Sequence, residues 1–559
     1  MHERKFIPFF HGAPIPVSKQ MAPAELPVCA ITLTIRSRIT PTKCMSYSYS
    51  YSPQVTSPSL TENGASTGNG DAGAPLYALG DLQFIPVEAG ATLILNRANG
   101  QQQVVTPDVA RALHECARFA SISAHTDSIV RAIPELTQQR ELVRSTLEQL
   151  ADAGILSSAE AQCALLNRKN EETARSRTRV FIITCDRPGA LEKLLESMVS
   201  MQGLLRHEAF FLIDSSRKAN NVDRNRELIE LFNTRSAKNI AHICPQKQQD
   251  ICSRLCEELP EHAEGIRFLL DRNLHSEYAN YGMARNFCLL LATGKRAIVL
   301  DDDILAYRLK APESADGFAF EGGIASEVRF FPDLQTVLGN IEALEDSALD
   351  GISHCLGLPL ADVPAAMGEE RFNELELRGA PGVIMETLQG QSRVLVTQCG
   401  TLGDPGTEGL AWLHQLDGPA QESLLAALGN AGTARVERWC WRGTRTTTIA
   451  KMASMSQLTG LDNSELLPPY FPYFRGEDLL FGAAVDFVHP QAAILEHNWC
   501  VAHVPENRRP PLDLRADPIT GSGSVALIAR RISDAVDSRS GTTPAKRLEQ
   551  LARLLEAEA

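Results

Sequence analysis

The stretch AIVLDDDI, residues 297–304, runs four apolar residues directly into Asp301, Asp302 and Asp303. A short apolar run with β-branched residues predicts a buried strand that ends at the acids. Adjacent carboxylates repel each other and resist ionising together, so their charge has to be offset. Solvent, a cluster of Lys and Arg, or a bound cation could offset it.

The same pattern of an apolar strand ending in polar residues recurs upstream. TRVFIITCDRPGALEKLLESM (178–198) predicts a strand to Thr184 and then a helix, and AFFLIDSS (209–216) predicts a strand ending at Asp214. IRFLLD (266–271) is predicted as another strand and YGMARNFCLLLATG (281–294) as a helix. Strands alternating with helices predict an α/β fold with a doubly wound parallel sheet, which binds ligands at the carboxyl ends of its strands.

Size and composition limit the classes of protein that fit. A chain of 559 residues predicts two to four domains, and 44% hydrophobic with 22% charged residues is ordinary for a globular protein. The formal charge of -14 gives no reason to expect nucleic acid as a partner. No apolar run approaches the roughly 20 residues of a membrane span.

Thirteen cysteines are dispersed along the chain without a C-x-x-C pair. Such a set predicts reduced thiols and a cytoplasmic location. Residues 1–75 predict a disordered region, because MSYSYSYSPQVTSPSLTENGASTGNGDAGAP (45–75) has almost no aliphatic side chains. Met45 is an alternative start of the chain.

Residues 76–157 predict a small α+β domain. LILNRANGQQQVVTPDVARAL (93–113) has a hairpin signal at Asn99-Gly100, and Thr106 with Pro107 predicts a helix start. VRSTLEQLADAGIL (143–156) predicts a second helix. These two segments resemble the winged-helix-like peptide-binding family of the pyrroloquinoline-quinone biosynthesis D type. The resemblance implies capture of a peptide as an added strand; a plain spacer or dimerisation module is the alternative.

Residues 178–505 resemble the GT-A glycosyltransferases, particularly the family 2 type. Four segments carry the resemblance: VFIITCDRPGALEKLLESM, FFLIDSS, YGMARNFCLLLATGKRAIVLDDDI and YFRGEDLLFG. The resemblance implies a GT-A fold and transfer of a sugar, hexosyltransferase-like, from a nucleotide-diphosphate sugar, most often a UDP-sugar. Residues 311–467 are longer than a minimal member requires and predict an acceptor-side insertion, and residues 506–559 predict a tail with an amphipathic helix.

The acids of AIVLDDDI supply a D-x-D arrangement. Alternate strand residues face the same side, so Asp301 and Asp303 are predicted to point together and Asp302 to point away. Two oxygen ligands suit Mn²⁺ or Mg²⁺ and a diphosphate. The resemblance gives Asp301 the ribose and Asp303 the metal, with Asp302 as a second candidate for either role; a solvated acidic loop is the alternative.

The resemblance also assigns the remaining site. It implies nucleotide or donor contacts for residues at the strand ends and on the following helix, namely Thr184, Asp186, Arg187, Asp214, Arg285 and Asn286. A turn-forming acid at Asp214 and a surface salt bridge at Arg285 are the structural alternatives. A late histidine often joins the metal in this fold, and the candidates are His503, which is preferred, and His497.

YFRGEDLLFG carries the predicted catalytic acids. Asp478 is predicted as the base that takes the acceptor's proton during inversion, with Glu477 as its partner. Acids in the first turn of a helix are also stabilised by its dipole, which is the structural alternative. The aromatic residues before them, Tyr470 to Phe474, fit either substrate stacking or the core.

Three functions are consistent with the sequence. The first is a metal-dependent, inverting glycosyltransferase whose acceptor is a peptide or protein bound by residues 76–157. The second is a nucleotidyltransferase on a similar sheet, although TCDRPGAL is poor in the glycine that its first turn usually has. The third is a non-catalytic binding protein with a degenerate transferase domain.

Overall fold

The computed structural model describes most of the chain after residue 72. The described residues are 73–87, 91–169, 174–274, 276–278, 280–322, 327–339, 341–406, 410, 412–413, 416, 418–428, 434–453, 457–507, 509–515, 524–535 and 543–558. The predicted disordered region, residues 1–75, and the alternative start at Met45 lie almost wholly outside them.

The strands share four sheets. In chain order they are β1 Leu76–Leu79, β2 Leu82–Val87, β3 Ala91–Asn96, β4 Gln102–Val105, β5 Ala120–Ser121, β6 Leu156–Ser158, β7 Thr178–Thr184, β8 Ala209–Asp214, β9 Ile240–Ile243, β10 Lys295–Asp301, β11 Ile304–Lys310, β12 Phe318–Glu321, β13 Glu327–Phe330, β14 Ala343–Ser347, β15 Val394–Gly403, β16 Arg435–Val436, β17 Cys440–Gly443, β18 Thr447–Ala450, β19 Leu458–Asn463, β20 Ala493–His503 and β21 Leu512–Asp513.

The α-helices flank these sheets. In chain order they are α1 Pro107–Leu113, α2 Ile122–Ala132, α3 Arg140–Asp152, α4 Ala159–Leu166, α5 Pro188–Val199, α6 Ala219–Arg235, α7 Pro245–Glu258, α8 Ala263–Leu270, α9 Tyr281–Leu291, α10 Leu334–Gly339, α11 Ala348–Ser353, α12 Val363–Ala366, α13 Gly382–Met385, α14 Gly418–Leu428, α15 Glu477–Val488, α16 Ser524–Asp534 and α17 Pro544–Glu558. None of the described helices is long and apolar enough to cross a lipid bilayer.

The amino-terminal unit has two small sheets and three helices around its own core. Its sheets have the orders β5-β1-β6 and β2-β3-β4, and its core includes Ile94, Leu113, Ile129, Leu147 and Leu150. The predicted helix start is confirmed, because the Thr106 hydroxyl accepts from the backbone N–H of Val109 and Pro107 begins α1. The winged-helix class of this unit and its family likeness stay predictions.

This unit packs directly on the larger domain. The Glu386 carboxylate accepts from the backbone N–H of Asp81 at 2.6 Å and from the Ser157 hydroxyl at 2.9 Å. The Gln162 amide donates to the carbonyls of Met385 and Leu388. Leu76 and Ala78 share a core cluster with Phe318 and Leu495 of the larger domain. The two parts therefore pack as one body, with α4 of residues 158–178 in their interface.

The largest sheet has thirteen strands and is mixed. Its first part, in the order β9-β8-β7-β10, is entirely parallel, and β19 then joins the other edge of β10 in antiparallel orientation. The path continues through β15, β20, β18 and β12. The predicted α/β class is confirmed, and the sheet is mixed beyond β10.

The strand order places a crevice at the carboxyl ends of β7 and β10. From β7 the chain proceeds outward through β8 and β9, and it then returns to add β10 on the opposite edge of β7. Such a reversal of strand order splays the two connections apart and leaves room for a ligand. Thr184 ends β7 and Asp301 ends β10. Thr184 and the predicted acids that begin at Asp301 therefore lie at the reversal point.

One prediction about the elements is wrong. Residues 266–270 of IRFLLD do not form a strand but lie in α8, which buries Phe268 and Leu270; a short, mostly apolar segment does not distinguish a strand from a buried helix. Residues 311–467, the predicted acceptor-side insertion, contribute strands to the largest sheet, and their acceptor role stays a prediction. They contain β15, whose ten residues are all buried, and β19, which pairs with β10 itself.

The predicted carboxyl-terminal amphipathic helix is α17. Leu548 and Leu551 pack against Phe487 and Val488 of α15. The Arg547 guanidinium also donates to the Val488 carbonyl at 3.1 Å. The tail therefore supports the helix whose first turn contains Glu477 and Asp478.

Strand β20 buries an acid in the interior of the sheet. Glu496 is 6% exposed, and its Oε1 has no hydrogen-bond partner among the described residues. Burial raises the pKa of Glu496 to about 8, although the charge of Arg442 opposes that effect. Glu496 therefore holds a proton at pH values where the same residue in an unfolded chain has lost it.

This proton makes stability depend on pH. Between the ordinary value of 4.5 and about 8, the native state binds the extra proton, so the free energy of unfolding falls as pH rises through that window. At about 1.4 kcal/mol per pKa unit, the fall over this window is about 5 kcal/mol. We expect Glu496→Gln to remove this fall. Urea unfolding at pH 5 and pH 8 should then show that the free energy of unfolding of the variant, relative to the wild type, increases with pH. Glu342→Gln, an exposed control, should follow the wild type; equal slopes for Glu496→Gln and wild type would contradict the assignment.

Candidate functional site

The acids after β10 do not continue as a strand. β10 ends at Asp301, and a turn begins at Asp302. Asp302 and Asp303 both reach the guanidinium of Arg187: its Nη2 lies 2.6 Å from Asp302 Oδ1, and its Nη1 bonds to Asp303 Oδ2. The predicted alternation, with Asp302 pointing away from its neighbours, is therefore wrong, because the turn rotates both side chains toward the end of β7.

Thr184 and Arg187 connect the two strand ends. The Thr184 hydroxyl donates to Asp302 Oδ2 at 2.5 Å, and Asp302 is fully buried. Burial raises the pKa of Asp302 to about 7 against the opposing charge of Arg187. The turn after β7 therefore supplies a hydroxyl and a cation to the acids after β10.

His503, at the end of β20, faces Asp303. Its Nε2 lies 3.3 Å from Asp303 Oδ1, and its Nδ1 lies 2.6 Å from the carbonyl oxygen of Asp404. A carbonyl only accepts, so Nδ1 carries a proton and donates it. Burial opposes ionisation of Asp303, but the hydrogen bond and charge of His503 outweigh it and lower the pKa of Asp303.

Arg285 joins the same cluster from α9. Its Nη2 lies 3.4 Å from Asp301 Oδ1, and its Nη1 lies 3.3 Å from Glu477 Oε1. The Arg285 side chain is 4% exposed, so this is a buried bridge and the predicted surface alternative does not apply. Burial, and then the charge of Asp478, raises the pKa of Glu477 to about 7, while Arg285 opposes the shift.

The two catalytic candidates lie in the first turn of α15. Gly476, in the left-handed region with φ of 92°, caps that helix, and Glu477 and Asp478 follow it. Asp478 is partly exposed, whereas Glu477 is 5% exposed and faces Arg285. Of this pair, Asp478 is therefore the carboxylate that a substrate can reach.

The charge of the acidic triplet is offset by arginines. Arg187 balances Asp302 and Asp303, and Arg285 balances Asp301. Solvent, basic side chains or a bound cation could offset the charge of these acids. Among the described residues, basic side chains do so. Both guanidinium groups come from turns and helices that flank the reversal point of the sheet.

Asp214 does not face the crevice. It is 0% exposed, and its carboxylate accepts from the backbone N–H of Ser216 at 2.9 Å, from His242 at 2.9 Å and from the Asn225 amide at 3.1 Å. These donors enclose both oxygens. The geometry therefore differs from the open base acceptor that was predicted and matches the structural alternative.

Asp186 and Asn286 also use their side chains within the fold. Asp186, with φ of 54°, accepts from the backbone N–H groups of Arg217 and Lys218 and so fixes the loop before α6. The Asn286 side chain exchanges two hydrogen bonds with the backbone of Tyr470, at 2.8 and 3.0 Å. Both residues hold the walls of the crevice instead of presenting free polar groups to it.

His497 is not at the site. It is 1% exposed inside β20, opposite Cys399, and neither ring nitrogen has a hydrogen-bond partner among the described residues. Burial lowers its pKa to about 3. The structure does not bring His497, a predicted metal ligand, to the acids after β10; its ring lies within the core at 31° to the ring of Trp499, with the ring centroids 5.4 Å apart.

The aromatic segment before α15 belongs mainly to the core. Tyr470 is 3% exposed and stacks on Phe481 with ring centroids 3.9 Å apart. Phe471, Tyr473 and Phe474 contact one another and ring residues of neighbouring segments. For Tyr470, the core alternative is therefore the one that the structure supports.

The structure adds two residues that the sequence did not single out. Asp404 follows β15 and accepts from His503 through its carbonyl, and its carboxylate lies 3.3 Å from Arg509 Nη1. No local pattern marks either residue. Their proximity arises because Gly403 pairs with His503 across parallel strands β15 and β20.

The donor chemistry of Asp303 and His503 fits a divalent cation. Metal-binding histidines commonly donate the other ring N–H to a carbonyl, as His503 Nδ1 does to Asp404. The remaining Nε2 and a carboxylate oxygen suit Mn²⁺ or Mg²⁺ when substrate oxygens complete the coordination. Among the described residues, no three His, Cys, Asp or Glu side chains form a metal cluster by themselves.

Comparison with known proteins gives few matches. No protein-family model matches the chain, and no curated protein matches it. One similar solved structure is glucosyl-3-phosphoglycerate synthase from Mycobacterium tuberculosis, in complex with Mn²⁺, UDP and glucosyl-3-phosphoglycerate. It is 9% identical, the match covers 67% of this chain and 86% of that one, and the TM-score is 0.27. So low a TM-score carries no argument about the activity of this chain.

Proposed function

We propose that this protein transfers a sugar from a nucleotide-diphosphate sugar to an acceptor hydroxyl. One observation carries the proposal: three carboxylates, the half-buried Arg187, the buried Arg285 and His503 converge at the reversal point of the sheet. A diphosphate needs cationic partners, and a sugar acceptor needs a base. Both kinds of group lie around one crevice.

The donor occupies the crevice between β7 and β10. Arg187 and Arg285 are placed to meet diphosphate oxygens bidentately, because each already spans two carboxylates. Asp301 is assigned to the ribose, and Thr184 orients Asp302. Asp186 and Asn286 hold the walls of the crevice, and Asp214 fixes the turn after β8 behind it. Uridine is the proposed base of the donor.

Asp303 and His503 would hold the metal, with Asp301 as a further candidate ligand. A bound Mn²⁺ or Mg²⁺ supplies Lewis-acid neutralisation of the charge that develops on the leaving diphosphate. Arg187 balances Asp303 in the absence of donor, so binding requires its guanidinium to exchange carboxylate oxygens for phosphate oxygens. The repulsion among the carboxylates is thereby offset by Arg187 when the donor is absent and by the metal when the donor is bound.

Asp478 performs the proton transfer. The acceptor oxygen forms a bond to the anomeric carbon, the bond from that carbon to the diphosphate oxygen breaks, and the acceptor proton moves to the Asp478 carboxylate. Glu477 and Arg285 hold the first turn of α15 in position. Attack opposite the leaving group inverts the anomeric centre.

The acceptor is proposed to be a peptide or protein. Strand β4 of the amino-terminal unit pairs only with β3 among the described strands, and three of its four residues are exposed. An added strand could therefore bind along this edge. The eleven described free cysteines are consistent with a reducing compartment such as the cytoplasm.

Calorimetric titration with UDP and GDP, with and without Mn²⁺, tests the proposed function. We expect UDP to bind at least about tenfold more tightly with Mn²⁺, because the cation is shared by the diphosphate and the protein. GDP is the matched control for the base, and Ca²⁺ is the control for the metal. If neither nucleotide binds in any condition, the transferase proposal is wrong.

A further inference from the structure

A set of buried polar atoms lies on β15 and at β17 without partners. Thr401 Oγ1, Arg442 Nε and Thr444 Oγ1 are inaccessible to solvent and have no hydrogen bond within the described residues. Arg442 is 8% exposed and forms no ion pair in the described part of the chain. Native proteins satisfy almost all buried polar groups, and an unpaired buried cation is costly. These residues therefore require a partner that the described residues do not supply.

The strand register brings this set to the catalytic end of the sheet. Arg442 lies directly opposite Thr401, and Cys440 lies opposite Gly403, which pairs in turn with His503. Residues two apart along a strand face the same side and are separated by about 6.6 Å. One face of the sheet therefore carries the side chains of Arg442, Thr401 and His503, which belong to neighbouring cross-strand pairs.

The electrostatic surroundings favour an anion at Arg442. Burial lowers the pKa of Arg442, while Cys440, Glu496 and Asp478 act in the opposite direction. Glu496 does not neutralise Arg442 at pH 7, because burial raises the pKa of Glu496 to about 8. The centroid of the Trp412 ring lies 5.7 Å from Arg442 Cζ, within the range of a cation–π contact.

We infer that Arg442 and Thr401 form a binding subsite for an anionic group, a carboxylate or a phosphate, on the acceptor. The subsite rests on the proposed function and deepens it: the anion is placed beside the hydroxyl that Asp478 deprotonates. A guanidinium and a hydroxyl donate together to such oxygens. For a peptide acceptor, the group is an acidic side chain or the terminal carboxylate.

Anion titration tests the subsite directly. Inorganic phosphate and acetate, titrated separately at constant ionic strength, distinguish the two chemical sources. We expect Arg442→Gln to weaken binding of the preferred anion at least about tenfold, as for loss of a charge-assisted bond. Arg435→Gln, a surface change near β17, is the control and should bind as the wild type does. Equal affinities in wild type and Arg442→Gln overturn the subsite.

A melting measurement separates this role from a structural one. Without anion, Arg442→Gln should melt at the same temperature as wild type or higher, because it removes an unpaired buried charge. Thr401→Val, which keeps the shape but lacks the hydroxyl, should also weaken anion binding. A clearly lower melting temperature for Arg442→Gln in anion-free buffer means that the residue supports the fold, and the inference fails.

Titration with UDP and Mn²⁺ separates failure of the subsite from failure of the proposed function. Arg442→Gln should bind UDP as tightly as the wild type. If it weakens UDP and phosphate equally, Arg442 belongs to the donor diphosphate, and the acceptor assignment is overturned. If wild type binds phosphate through Arg442 but never binds UDP, the anion subsite stands and the transferase proposal fails.

Discussion

Asp478→Asn is expected to reduce sugar transfer by about 10²–10⁴-fold, the range that a general base contributes, with UDP affinity nearly unchanged. The amide keeps the shape of the carboxylate but cannot accept the acceptor's proton at neutral pH. Helix α15 should survive, because Asp478 contributes at most about 1 kcal/mol through the helix dipole. The measurement compares turnover under saturating donor with calorimetric UDP binding.

The adjacent acid provides the matched control for that result. Glu477→Gln removes the charge that pairs with Arg285, so it should alter donor affinity as well as turnover. A base and a positioning residue thus give different patterns: turnover alone for Asp478, and both quantities for Glu477. If Asp478→Asn loses UDP binding and turnover equally, Asp478 is a donor contact and the assignment of the base is wrong.

Local patterns predicted the elements that form the crevice but not the pairing within it. Strands β7 and β10 and helices α5 and α15 follow from apolar runs, helix-start residues and acids at strand ends. Those signals depend on residues within one or two turns of each other. The predicted clustering at the strand ends followed because parallel strands end at one edge of the sheet.

The contacts that compensate the charge depend on long-range proximity. Arg285 and Glu477 are 192 residues apart, and Arg187 and Asp303 are 116 apart. Arg187 and Arg285 were predicted to contact the donor. In the structure, each of them pairs with two carboxylates of the chain. A single sequence carries no signal for this choice, since a guanidinium on a flexible stem can meet several carboxylates within its reach.

The differences from the sequence predictions have a shared physical origin. His497 and His503 both belong to β20, but strand pairing places His497 opposite Cys399 in the core and brings His503, at the end of the strand, to Asp303. The stretch 311–467 has no simple alternation, because strands buried on both faces carry apolar residues on both. Burial by strands that are distant in sequence therefore determines where these residues lie, and local periodicity does not predict it.

Asp303→Asn is expected to weaken Mn²⁺ binding at least about 100-fold and thereby to abolish the Mn²⁺-dependent gain in UDP affinity. Partners of metal ligands alone contribute roughly 10–100-fold, so removing a ligand should cost more. Asparagine keeps the shape but lacks the charge that His503 Nε2 and Arg187 face. The measurement is calorimetric UDP binding with and without Mn²⁺, at a temperature well below the melting transition of each variant.

Asp302→Asn is the matched neighbour, because Asp302 shares Arg187 but bonds to Thr184 instead of His503. It should weaken UDP binding in both conditions and keep the Mn²⁺ dependence. Breaking a buried ion pair costs about 3–5 kcal/mol, so both variants are expected to melt earlier, and lower stability alone cannot produce the difference between them. If the Mn²⁺ dependence survives in Asp303→Asn and disappears in Asp302→Asn, the metal ligand is Asp302, and His503 serves Asp303 only as an ion-pair partner.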